Sequence, residues 1–162
     1  MATVHPWLFP VTLLAALGCG LIGGVFFAFS TFVMKALGRL PLGEGIAAMQ
    51  AINVAVLNPW FLGAFIGTAG ACILALISSL LLWHDPEAMY LLAGSALYLV
   101  GTLLVTIVVN VPKNEALASL APADSDAAHL WADYVSSWTA WNHVRTAAAL
   151  AAAASFGLAL GC

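Results

Sequence analysis

The chain has 162 residues, of which 64% are hydrophobic and only 7% are charged, and its mean hydropathy is +1.05. Charged residues make up about a quarter of an ordinary soluble domain, so this composition excludes a water-soluble globule and indicates an integral membrane protein. Four Lys and Arg residues against seven Asp and Glu residues give a net charge of -3, and so few cations exclude a nucleic-acid-binding surface.

Four apolar stretches follow one another along the chain. Each is long enough to cross a hydrocarbon core of about 30 Å, which takes about 20 helical residues. They cover approximately residues 7–34, 59–83, 88–111 and 138–160. Asn58 and Pro59 suit the N-cap and first position of the second helix, and Pro112 predicts the end of the third. The sequence therefore predicts an all-α fold in which residues 1–162 form one domain, a bundle of four transmembrane helices.

Small residues recur within these stretches. The first contains Gly20-x-x-x-Gly24, the second contains Gly63-x-x-x-Gly67, and the fourth contains an alanine run over residues 147–154. Lipid supplies no hydrophobic force between helices, so such residues allow close helix packing inside the bundle. Contact with a second copy, giving a homo-oligomer, is the alternative use of the glycine motifs.

The segment between the first two spans predicts a short amphipathic helix over residues 43–56, with Asn53 inside its apolar arc. Lys35, Arg39 and Lys113 all lie in the two long loops on one side of the bundle. By the positive-inside rule these loops, with the short helix, are cytoplasmic, and both termini are extracytoplasmic. We expect the cell membrane as the location.

Polar side chains gather at the predicted cytoplasmic end of the bundle. All five asparagines map there, and Ser30 joins them from the first span: Asn53, Asn58, Asn110, Asn114 and Asn142. The third span adds a stripe at helical spacing that should face the interior, formed by Ser95, Tyr98, Thr102, Thr106 and Asn110. Hydrogen bonds between helices would explain the Ser and Thr members, and a binding site would explain the whole group.

One face of the fourth helix combines aromatic rings with a cation: Trp131, Tyr134, Trp138, Trp141, Asn142 and Arg145. One interpretation is an interfacial aromatic belt with a snorkelling Arg145. The other makes the rings the walls of a slot for a flat aromatic ligand and Arg145 the partner of its oxygen anions. His143 is the best general-base candidate, because imidazole changes charge near neutral pH, but it lies roughly 160° around the helix from Arg145.

Several other classes of function lack support. His5 and His84 lie at the opposite end from His143, so we expect no metal site and no haem. Every carboxylate falls in a loop or at a helix end, which disfavours proton-coupled transport. No hydrolase, phosphate-loop or dinucleotide motif is present.

Four motifs together resemble the anthrone-oxygenase-like family of small four-helix membrane proteins. They are residues 23–30 (GGVFFAFS), Ala51-Ile52-Asn53 with Asn58-Pro59, residues 110–114 (NVPKN), and residues 138–146 (WTAWNHVRT). The resemblance covers nearly the whole chain, although most members of the family have no assigned function. It implies oxidation of a planar phenolic substrate such as an anthrone, with O2 and no cofactor.

Such chemistry needs a base, an oxyanion partner and an apolar aromatic slot. The predicted catalytic residues are His143 as the base with Arg145 and Asn110 as partners of the substrate oxygens. The predicted substrate-binding residues are Trp138, Trp141, Asn142, Asn53, Asn58, Asn114 and Ser30. The alternative is a non-catalytic membrane module that uses the same polar end to bind a quinone or lipid or to scaffold a partner.

Overall fold

A computed structural model describes residues 6–162, and His5 lies outside this range. The described chain contains five helices and no strand, which confirms the all-α prediction. They are α1 (Leu8–Leu37), α2 (Leu42–Ala55), α3 (Pro59–Leu81), α4 (Ala88–Ala118) and α5 (Ala127–Ala159).

Three helices, α1, α3 and α4, are long and apolar enough to cross a membrane. Their outward surfaces carry large exposed apolar side chains such as Leu17, Ile66 and Val100, a surface suited to lipid. Helix α5 has 33 residues, but Asn142, His143 and Arg145 interrupt its apolar sequence. The chain is therefore a membrane protein, and a fourth span stays a prediction.

The long helices pack in a closed order around the interior. α5 lies against α1 and α4, and α3 lies against α1 and α4 from the other side. Short helix α2 crosses one end, where its Ile46 and Met49 are buried against the aromatic start of α5. This end joins four of the five helices, because α2 also contacts the last turns of α1 and α4. The inward polar residues of α4 and α5 lie next to it.

The helices approach one another most closely at glycines. These glycines are not those of the two Gly-x-x-x-Gly motifs. A Cβ added to Gly20, Gly24, Gly63 or Gly67 would meet no atom within 4 Å, so the predicted internal contacts at these motifs are wrong. The motif spacing identifies a face of small residues but not the direction in which that face points. The homo-oligomer alternative for these glycines stays a prediction.

One close internal contact lies on the alanine face of α5, as its alanine run predicts. Ala148, Ala149 and Ala152 are buried, and a Cβ on Gly101 of α4 would lie 2.5 Å from the Ala148 Cβ. Because neither atom belongs to a flexible side chain, α4 and α5 are held at a distance that only glycine permits.

Three π-helical segments widen the long helices beside the polar end. They are Phe29–Val33 in α1, and Leu97–Leu104 and Thr106–Asn110 in α4. Pro112 does not end the third helix as predicted, since α4 continues over Val111–Ala118. Proline removes one donor and crowds the preceding turn, and the wider turn over Thr106–Asn110 accommodates both effects. α4 therefore extends beyond the predicted end of its span.

The Gly101 contact generates a stability prediction. Gly101→Ala should lower the free energy of unfolding by about 1 to 3 kcal/mol, because the new methyl group forces α4 and α5 apart. Gly67→Ala is the matched control, since it faces open space and should be neutral or stabilising by up to about 1 kcal/mol. SDS titration of the protein in mixed micelles measures both. Equal midpoints for the two variants would contradict the packing described here.

Candidate functional site

A cation lies buried in the middle of α5. Arg145 is only 3% exposed, and its guanidinium carbon lies 4.1 Å from the ring centroid of Phe26 and 5.1 Å from that of Trp138. The planar group thus contacts aromatic faces from α1 and from its own helix, an arrangement that favours arginine over lysine.

Arg145 is hydrogen-bonded only to neutral groups. Its Nη1 donates to Thr106 Oγ1 at 3.1 Å and its Nη2 donates to Asn142 Oδ1 at 2.6 Å, while Nε is buried without a partner. Between residues 6 and 162, the one ion pair joins His129 to Asp133 at the surface. The positive charge of Arg145 is therefore balanced by no carboxylate of the described chain, which is a costly arrangement for a buried charge.

Asn142 connects this cation to α1. Its Nδ2 donates to the Phe26 carbonyl at 2.7 Å and to Ser30 Oγ at 2.8 Å. Thr146 Oγ1 donates to the Asn142 carbonyl at 2.8 Å and lies 3.1 Å from Ser30 Oγ. Asn142 is fully buried, whereas Ser30 is half-buried. Ser30 is therefore the outer end of a hydrogen-bonded chain that begins at Arg145.

Asn110 approaches the cluster from α4 and keeps one polar atom free. Its Nδ2 donates to the Trp138 carbonyl at 3.3 Å, but its buried Oδ1 has no partner. Asn53 of α2 has a buried Nδ2 that interacts with Tyr134. Buried polar atoms are normally paired, so the free Asn110 Oδ1 and Arg145 Nε make this cluster a candidate polar binding site.

Three aromatic rings extend the cluster toward α2. Trp131, Tyr134 and Trp138 stack in succession, with ring centroids 5.7 and 6.3 Å apart. Tyr134 Oη and Trp138 Nε1 both donate to Asn114 Oδ1, at 2.9 and 2.8 Å. Burial raises the pKa of Tyr134, which keeps its hydroxyl protonated as a donor. Asn114 thereby fixes the orientation of both rings.

Three predicted site residues lie away from this cluster. Asn58 caps α3: its Oδ1 accepts from the backbone N–H groups of Trp60 and Phe61, and its Nδ2 donates to the Ala55 carbonyl. Trp141 is 42% exposed on the outer surface of α5. His143 is also exposed and faces a groove between α1 and α5, as its angular distance from Arg145 predicts.

The remaining predicted residues come together, and two further ones join them. Six of them form one continuous network, namely Ser30, Asn110, Asn114, Trp138, Asn142 and Arg145, and Asn53 interacts with Tyr134 at its edge. Sequence patterns alone assign no role to Phe26, whose ring and carbonyl both belong to the site. Thr106 is predicted only as part of the inward stripe of α4, and it supplies one of the two acceptors of Arg145. Between residues 6 and 162, no three His, Cys, Asp or Glu side chains come together as a candidate metal site.

Comparison with known proteins bears on the family. The family model of anthrone oxygenase matches residues 58–155, more than half of the chain, and this segment includes Asn110, Trp138, Asn142 and Arg145. No curated protein and no solved structure matches the chain. On the strength of the family match, which agrees with the motif resemblance, the chain belongs to the anthrone oxygenase family.

Proposed function

We propose that the protein is a membrane-embedded oxidoreductase that uses O2, without a cofactor, to oxidise a planar phenolic aromatic such as an anthrone. The substrate methylene becomes a ketone, one oxygen atom of O2 enters the product, and the other leaves as water. Family membership supports this class of reaction. The three apolar helices support a hydrophobic substrate that is drawn from the bilayer.

The reaction makes one main electrostatic demand on the protein. The methylene must lose a proton before its carbon can give electrons to O2, and the resulting negative charge spreads onto the ketone oxygen. Groups that already point at this charge stabilise it without reorganising, which is the most effective form of electrostatic catalysis. A protein of this type needs no further reactive group beyond a base and an anion partner.

The observation that carries the proposal is the buried Arg145 cation without a carboxylate partner. Removing such a charge from water costs several kcal/mol, and neutral hydrogen bonds offset only part of that cost. An anionic intermediate bound beside the cluster would offset the rest. Asn142 belongs to the same proposed anion site, and Asn110 borders it with a free buried amide oxygen.

The helix arrangement supports a fourth span and a defined orientation. α5 is about 50 Å long at 1.5 Å per residue, and it lies along both α1 and α4. We propose that it crosses the cell membrane, with α2 on the cytoplasmic side and both termini outside, since Lys35, Arg39 and Lys113 lie at the α2 end.

Reporter fusions test this orientation. Fusions at Gly43 should be active with a cytoplasmic reporter, and fusions at Cys162 should be active with a periplasmic or extracellular one. Cytoplasmic activity at Cys162 would refute the orientation or the fourth span.

Two variants of Arg145 test the enzymatic proposal. Arg145→Met should reduce kcat on an anthrone by on the order of 100-fold, the usual cost of losing an oxyanion partner. Arg145→Lys keeps the charge but loses the two-point contact with Thr106 and Asn142, so its kcat should be intermediate. Absorbance of the anthraquinone product measures turnover in lipid nanodiscs. Arg39→Met, a change to an exposed cation, is the control and should behave as wild type.

The stability of the Arg145→Met variant distinguishes a catalytic role of Arg145 from a purely structural role. Replacement of a buried charge by an apolar side chain is often neutral or stabilising, so Arg145→Met should remain folded when it loses activity. Wild-type turnover in Arg145→Met would sink the proposal. Tight binding of a quinone or lipid by a wild-type protein that never oxidises an anthrone would favour the non-catalytic alternative.

A further inference from the structure

A polar groove opens on the outer face of the protein between α1 and α5. Its volume is about 490 Å³, within the range of small-molecule sites. α1 contributes Ser30, Thr31 and Lys35, and α5 contributes Ser136, Thr139 and His143. Thr31, Lys35 and His143 are exposed, so the groove can be reached from the side of the protein without passing through its core.

Two features distinguish the groove from ordinary lipid-facing surface. It brings a cationic side chain, Lys35, to the same concavity as the imidazole of His143, and Lys35 has no carboxylate partner within the described part of the chain. Thr139 of α5 also lines the groove, and its buried Oγ1 has no hydrogen-bond partner. Charged and unsatisfied polar groups at a membrane-facing surface favour a ligand with polar atoms of its own.

The groove is connected to the buried cation through Ser30. Ser30 Oγ accepts a hydrogen bond from Asn142, whose Oδ1 in turn accepts from Arg145. Thr146 uses its own proton on the Asn142 carbonyl, so the Ser30 proton is available either to Thr146 or to a ligand in the groove. Ser30 can therefore donate a hydrogen bond to an oxygen anion in the groove. The hydrogen bonds from Arg145 to Asn142 and from Asn142 to Ser30 strengthen the Ser30 hydroxyl as a donor.

We propose that this groove is the substrate-binding site. The aromatic ring system of the substrate lies between His143 and Ser30, and an ionised phenol on an outer ring of the substrate lies at Lys35. This inference rests on the proposed function, and it adds the location, the orientation and the charge of the substrate. It also gives Arg145 a positioning role, since the cation acts on the substrate through Asn142 and Ser30.

The chemistry explains why the base and the oxyanion partner lie on different helices, His143 on α5 and Ser30 on α1. In an anthrone the acidic methylene and the ketone oxygen lie at opposite edges of the middle ring. A base and an oxyanion partner at a single point could not reach both atoms, whereas His143 on one side of the ring and Ser30 on the other can.

The proton and electron balance follows from this placement. The His143 imidazole takes the methylene proton, and the C–H electron pair enters the ring as an enolate whose oxygen accepts from Ser30. The carbanion carbon is oxidised by O2, which is reduced as a C–O bond forms to give a peroxide at that carbon. The peroxide takes the first proton back from His143 and becomes a hydroperoxide. His143 then removes the second C–H proton as the O–O bond breaks, which yields the ketone, and the departing hydroxide takes that proton from His143 to leave as water.

Paired variants test occupancy and charge. The assay uses vesicles of neutral phosphatidylcholine, so that no anionic lipid competes, and the probe is a hydroxyanthraquinone read by its visible absorbance. Ala140→Trp fills the groove and should weaken binding at least tenfold, whereas Ala147→Trp, exposed on the same helix outside the groove, should not.

Lys35→Met should weaken binding of the ionised probe about tenfold but not that of unsubstituted anthraquinone, with Arg39→Met as its control.

Chemical rescue tests the base. His143→Ala should still bind the probe but should lose turnover on an anthrone about 100-fold, and added imidazole should restore part of it because the groove is open. A merely structural histidine would not respond to imidazole.

The outcomes distinguish a failure of the groove assignment from a failure of the proposed enzymatic activity. If wild type oxidises the anthrone while Ala140→Trp and Lys35→Met bind and turn over like wild type, the groove is not the site. If wild type oxidises no anthrone but loses the probe in Ala140→Trp, the enzymatic proposal fails and the groove remains a binding site. If added phosphatidylglycerol displaces the probe from wild type and not from Lys35→Met, the anion that the groove prefers is a lipid headgroup, which overturns the substrate assignment.

Discussion

The arrangement of the polar end depends on a guanidinium that is buried without a carboxylate. Because no anionic side chain offsets the charge of Arg145, the surrounding helices must supply neutral acceptors and aromatic faces at short distance. Thr106 comes from α4, Phe26 from α1, and Asn142 and Trp138 from α5. The contacts with Thr106 and Phe26 hold α4 and α1 against α5 at one point, so the cation determines how these helices meet as much as the apolar core does.

The widened turns in α1 and α4 belong to the same arrangement. An ideal α-helix uses its carbonyls internally, yet Phe26 offers its carbonyl to Asn142 just before the π-helical turn of α1. On α4, Asn110 ends the π-helical turn Thr106–Asn110 and bonds to the Trp138 carbonyl. π-helical turns are often found at functional sites because they redirect individual side chains and free backbone groups without breaking the helix. Here two of them border the only charged group in the core of the described chain.

Local rules predict a good part of this structure. The N-cap at Asn58, the short helix before it and the inward stripe of α4 follow from capping chemistry and periodicity, and they are found as predicted. The inward direction of Trp138, Asn142 and Arg145 follows from helical angles, which also place His143 outside. These features depend on neighbouring residues of one helix, which is why the sequence reveals them.

The remainder depends on how helices meet, which spacing within one helix does not encode. Gly20 and Gly24 carry a familiar contact motif, but Gly101, which has no such motif, makes the tight contact with α5. Pro112 has the properties of a helix terminator, and the π-helical turn before it lets α4 continue. The α1–α5 groove combines Lys35 with His143, residues more than one hundred positions apart, so only the packed structure brings them to one concavity.

The most direct test of the account is the ionisation of a phenol bound at the polar end of the protein. A hydroxyanthraquinone changes colour when its phenol ionises, so absorbance gives the pKa of the bound ligand in wild type and in Arg145→Met. A cation nearby favours the phenolate, so the ligand pKa should be lower in wild type by about one unit or more. Equal ligand pKa values in the two proteins, with the ligand bound in both, would contradict the central claim that the buried cation stabilises an aromatic oxygen anion.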